Sequence, residues 1–69
     1  MKRCRIEGEV LYADGDGMQQ VIPRGDCQVE TTAQDATVSW IDDGISTVTA
    51  LPLETYQRYV ADGQIVVAA

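Results

Sequence analysis

The one tryptophan of this 69-residue chain, Trp40, stands two residues before an acidic pair in the stretch VSWIDDGISTV. Asp42 and Asp43 beside an aromatic ring would suit a divalent cation or an acid–base pair. Trp40 with Tyr12, Tyr56 or Tyr59 would suit an aromatic site for a cation or peptide. Neighbouring residues on a strand point apart, however, and Asp-Asp-Gly is ordinary turn chemistry. In a chain without phenylalanine the single indole is also the largest side chain available to a core. The expectation is a turn at Asp42-Asp43 and a buried Trp40, with the four aromatics as the alternative site.

Other chemically suggestive residues resolve in the same direction. Asp14-Gly15-Asp16-Gly17 has the flavour of a calcium loop, but Met18 and Gly25 stand where a third oxygen ligand and the closing glutamate would be needed. A hairpin turn is the better reading. Arg24-Gly25-Asp26 reads as a turn. Cys4 and Cys27 permit one disulfide, yet no apolar stretch follows the basic start as a signal peptide would require, so reduced thiols in the cytoplasm are expected. Two distant cysteines and no histidine do not make a zinc site. The absence of histidine also removes the usual base near neutral pH, and neither a nucleophile elbow nor a phosphate-binding glycine loop is present. The sequence points to no enzyme, no cofactor and no metal.

Charge narrows the partners. Eleven acidic residues against five basic ones give a net charge of −6, and Lys2, Arg3 and Arg5 supply three of the five. Nucleic-acid binding rests on a basic footprint that this chain mostly lacks. No run approaches the roughly 20 apolar residues of a membrane span. Soluble protein partners, basic ones included, remain.

The elements that must position these residues are mainly strands. Eight Val, five Ile and six Thr against three Leu favour a pleated, half-buried surface. Cys4, Ile6, Gly8, Val10 and Tyr12 alternate with Arg3, Arg5, Glu7 and Glu9, so a strand opens the chain, with Gly8 marking a bulge or bend. Residues 18–22 return from the Ala13–Gly17 turn, and Cys27, Val29 and Thr31 alternate along a further strand. In the quoted hairpin a three-residue loop, Asp42-Asp43-Gly44, is expected. It sets Val38 against Val48 beside Trp40 on the core face and Ile41 against Ile45 on the outer one. After it the period changes: Pro52, Leu53, Tyr56 and Val60 predict a helix over about 53–61, with Gly63 as its stop and a closing strand over 64–68.

One domain over residues 1–69 follows, built on five or six antiparallel strands with one short helix before the last. Two architectures fit: a strongly bent sheet or SH3-like barrel, and an α+β sheet with the helix packed on one face. A domain this small buries only about 60% of its unfolded surface, so a partner subunit would help it. The expected role is a self-associating, non-enzymatic protein-interaction module, docking through Leu11, Ile41 and Ile45 beside Asp42 and Asp43. Two alternatives are an acidic inhibitor that competes with nucleic acid for a basic protein, and a small-molecule or peptide binder using Trp40 and the tyrosines.

Overall fold

The structure, a computed structural model, describes residues 1–13 and 17–68. The Asp14–Asp16 part of the acidic turn lies outside them. Strands β1 (Lys2–Ile6), β4 (Gly25–Thr31), β5 (Asp35–Asp42), β6 (Ile45–Pro52) and β7 (Ile65–Val67) form one antiparallel sheet in the order β6-β5-β4-β1-β7. Strands β2 (Leu11–Ala13) and β3 (Gln19–Val21) form a separate hairpin, and helix α1 (Leu53–Ala61) precedes β7. The sheet does not close, and β6 and β7 are its edges. The molecule is thus an open, mainly β sheet with one short helix packed on its core face and before the last strand, and not the SH3-like barrel.

One face of the sheet carries the core. Cys4, Ile6, Cys27, Val29, Ala36, Val38, Trp40, Leu51 and Ile65 are buried there, and Tyr56 of α1 closes over them. Val10 and Ile22, which flank the small hairpin, complete the cluster and are joined by an Ile22 N–H to Val10 carbonyl bond of 2.9 Å. No polar residue is buried among the described residues.

Local chemistry fixes the connections. The opening strand breaks after Ile6 because the backbone at Gly8 runs against Gln64. The Glu7 and Gly8 N–H groups donate to the Gln64 carbonyl at 2.8 and 3.2 Å, and a Cβ on Gly8 would fall 2.9 Å from the Gln64 side chain. The Gln64 amide in turn donates to the Glu9 carbonyl at 2.7 Å. Between β4 and β5 the Thr32 hydroxyl accepts from the N–H groups of Gln34 and Asp35 at 3.2 and 3.0 Å, replacing a turn's backbone partners. The helix starts after Pro52 and ends at Ala61, with Gly63 just past its end as expected, at a φ of +81°. Gln64 N–H reaches the Tyr59 carbonyl and Gly63 N–H the Val60 carbonyl, the paired bonds of a Schellman cap.

Candidate functional site

Trp40 lies inside. It is 5% exposed, and Tyr12 meets it edge-on with ring centroids 5.4 Å apart and an interplanar angle of 65°, a favourable aromatic geometry. Tyr56 is buried, and the Tyr59 hydroxyl accepts from the Leu11 N–H at 3.2 Å. The four aromatics therefore tie the helix and the small hairpin to the sheet; they do not frame an open cage.

Cys4 and Cys27 face each other directly in the β1–β4 register, both buried and both free thiols. Burial, and next the neighbouring Cys4 sulfur, pushes the Cys27 thiol up to about 11. Tyr56 contacts the same pair, and burial followed by Cys4 raises its phenol to about 12. A thiol this reluctant to ionise is a poor nucleophile. The cluster suits a packed interior better than redox chemistry. Among the described residues no group of three or more candidate ligands is placed to hold a metal ion.

The β5–β6 hairpin corrects the expected register. Asp42 pairs with Ile45, Ile41 with Ser46, Ser39 with Val48 and Val38 with Thr49, so the loop has two residues, Asp43 and Gly44. Both have positive φ, +51° and +78°, as a type I′ turn requires. Ile41 and Ile45 consequently point to opposite faces, each 66% exposed, instead of forming a pair. Val48 lies on the outer face with Ile41 and is 62% exposed, while Thr47 and Thr49 turn half-buried toward the core side. Leu11 is half-buried on β2, away from that outer face. Sequence reasoning missed Val48 as a surface residue. The signal was present in Asp43-Gly44, whose preference for a two-residue turn sets the register.

Among the described residues no element covers the second face of the sheet. Alternation places Arg3, Arg5, Asp26, Gln28, Glu30, Thr37, Ser39, Ile41, Ser46, Val48, Ala50 and Val66 on it, opposite the core residues. Its middle is charged, with Arg5 between Glu7 (3.7 Å) and Asp26 (3.8 Å) in exposed ion pairs that contribute little. Its β5–β6 side is uncharged, with Ile41 and Val48 exposed among Thr37, Ser39, Ser46 and Ala50. A shallow concavity of about 630 Å³ lies over Arg3, Asp26, Gln28, Ser39, Ile41 and Ser46. That volume would hold a small molecule, but a sheet floor without walls does not bury one. Asp42 and Asp43 stand exposed at the hairpin tip. No helix among the described residues is long and apolar enough to cross a membrane.

No family model, curated protein or solved structure matches this chain.

Proposed function

We propose that this chain is a non-enzymatic protein-interaction module of the cytoplasm that associates with copies of itself through the uncovered side of its sheet, around the β5–β6 hairpin. The observation that carries the reading is an asymmetry of burial. The helix and the small hairpin pack on one face only, leaving Ile41 and Val48 together on the other at 66% and 62% exposure. Apolar side chains grouped on an open sheet suit an interface better than solvent. The acidic residues favour this reading over the competing inhibitor. Asp26 and Glu30 lie on the sheet beside Arg3 and Arg5, Asp42 and Asp43 at the hairpin tip, and Glu54 and Asp62 at the two ends of the helix. Carboxylates so dispersed among the described residues argue against the single negative face that would mimic nucleic acid.

Sedimentation at micromolar concentration tests the proposal. The wild-type chain is expected to sediment as a dimer or larger species, and Ile41→Asp to move it toward monomer by adding a charge to the apolar patch. A chain that stays monomeric at every concentration, with Ile41→Asp indistinguishable from wild type, would sink the reading.

A further inference from the structure

We infer that two copies join edge to edge, β6 against β6 in antiparallel register about Val48, to make one continuous ten-stranded sheet. The inference rests on the self-association proposed above and places the seam at the β6 edge that borders the open face. It starts from the backbone of β6. In a two-residue hairpin the pair flanking the turn, here Asp42 and Ile45, is hydrogen-bonded, and hydrogen-bonded pairs then alternate along the ladder. The N–H and C=O groups of Ile45, Thr47, Thr49 and Leu51 therefore face β5, and those of Ser46, Val48 and Ala50 face away from the sheet. No backbone hydrogen bond from another element among the described residues reaches those three. The small hairpin approaches β6 on the core face, where Tyr12 meets Trp40, and belongs to a different sheet.

Edges of this kind are ordinarily protected by charge, shortness, bulges or a covering element. The other edge, β7, is three residues long. β6 runs for eight residues, Ile-Ser-Thr-Val-Thr-Ala-Leu-Pro, without one charged side chain. β1, β4 and β5 all carry at least two. Among the strands of five or more residues β6 alone is uncharged, and among the described residues its outward hydrogen-bonding groups have no backbone partner, which is the pattern of a pairing edge.

The occupant follows from self-complementarity. A two-fold axis at Val48 sets Val48 against its copy and Ser46 against Ala50 of the partner subunit, satisfying all three free rungs with about six hydrogen bonds. Shifting the axis toward the strand's end brings in Pro52, which has no N–H to donate. On the outer face the paired Val48 side chains join the Ile41 side chains of both copies into one apolar strip. On the other face Thr47 stands opposite Thr49 of the partner subunit, a favourable cross-strand pair. The acidic hairpin tips end up at opposite ends of the joined strands.

Amide hydrogen exchange by NMR, run beside sedimentation, tests this. In the wild-type chain the Ser46, Val48 and Ala50 amides are expected to exchange freely when dilute and to gain at least about tenfold protection on dimerisation. Val48→Lys, which sets like charges opposite each other, and Ala50→Pro, which removes an outward N–H, are each expected to weaken the dimer at least about tenfold. A dimer whose three amides stay unprotected, and which tolerates both substitutions, overturns edge pairing while leaving self-association through the open face intact. A chain that is monomeric throughout overturns both. The exchange measurement needs no variant, so a substitution that unfolds the chain cannot mask the outcome.

Discussion

At the scale of single residues, the groups most able to do chemistry are those the fold holds most firmly neutral. The Cys27 thiol and the Tyr56 phenol meet in the core beside Cys4, and burial keeps both protonated beyond their ordinary ranges, to about 11 and about 12. The consequence for stability has a definite sign. Unfolding exposes a thiol that ionises from about pH 9 and a phenol that ionises from about pH 10, whereas the folded groups hold their protons two units longer. Between those limits the unfolded chain binds fewer protons than the folded one, so stability falls as pH rises. It is fully present below about pH 9, declines first through Cys27 and then through Tyr56, and levels only near pH 12. Urea midpoints measured upward from about pH 8 are expected to stay level and then drop, and Cys27→Ala, whatever it costs at neutral pH, to flatten the first part of the decline. A wild-type midpoint unchanged up to pH 11 would show that neither group is shielded as the structure has it.

At the scale of elements, the β5–β6 hairpin shows how turn chemistry outranks hydrophobic patterning. Asp43 and Gly44 both adopt positive φ, and the glycine does so at +78°. An alanine there would enter a conformation that costs L-residues about 1–2 kcal/mol, so Gly44→Ala is expected to lower stability by about that amount with no loss of side-chain contacts. A denaturant midpoint unmoved by Gly44→Ala would mean the two-residue turn is not what holds the register. The same turn explains what could and could not be read beforehand. The mainly β class, the Gly8 bend, the helix over residues 53–61, its Gly63 stop and the buried Trp40 were legible, because each depends on local spacing or on a single residue's chemistry. The hairpin register was legible only in Asp43-Gly44, and the apolar pattern of the two strands points the other way. Grouping Val38, Val48 and Trp40 on one face presumes that both strands of the hairpin are central, but β6 is an edge, where Thr47 and Thr49 serve as half-buried positions and Leu51 alone enters the core. Edge position is a property of the assembled sheet and is not set by the apolar alternation along the strand. For the same reason the expected patch of Leu11, Ile41 and Ile45 regroups around Ile41 and Val48.

At the scale of the whole molecule, the neutral edge and the negative charge act against each other, and salt decides the balance. Two copies of net charge −6, joined along strands, lie side by side at about the width of the molecule, whose extents are 29 × 24 × 20 Å. Treated as point charges about 24 Å apart in water, they repel by about 6 kcal/mol before screening. At about 0.01 M ionic strength the Debye length, roughly 30 Å, spans the molecule and much of that repulsion survives. At about 0.1 M the Debye length falls to roughly 10 Å, and less than about 1 kcal/mol remains. The backbone hydrogen bonds and the Val48 contact are short-ranged and little affected by salt. The dimer is therefore expected to tighten, its dissociation constant falling at least about tenfold between those two salt concentrations. An acidic inhibitor gripping a basic partner behaves in the opposite way, since its attraction is the component that salt removes. The sign of the salt dependence thus separates the two classes without knowledge of the partner. Self-association that weakens steadily as salt is added would show that ion pairs hold the interface, and would rule out the uncharged strand as the seam.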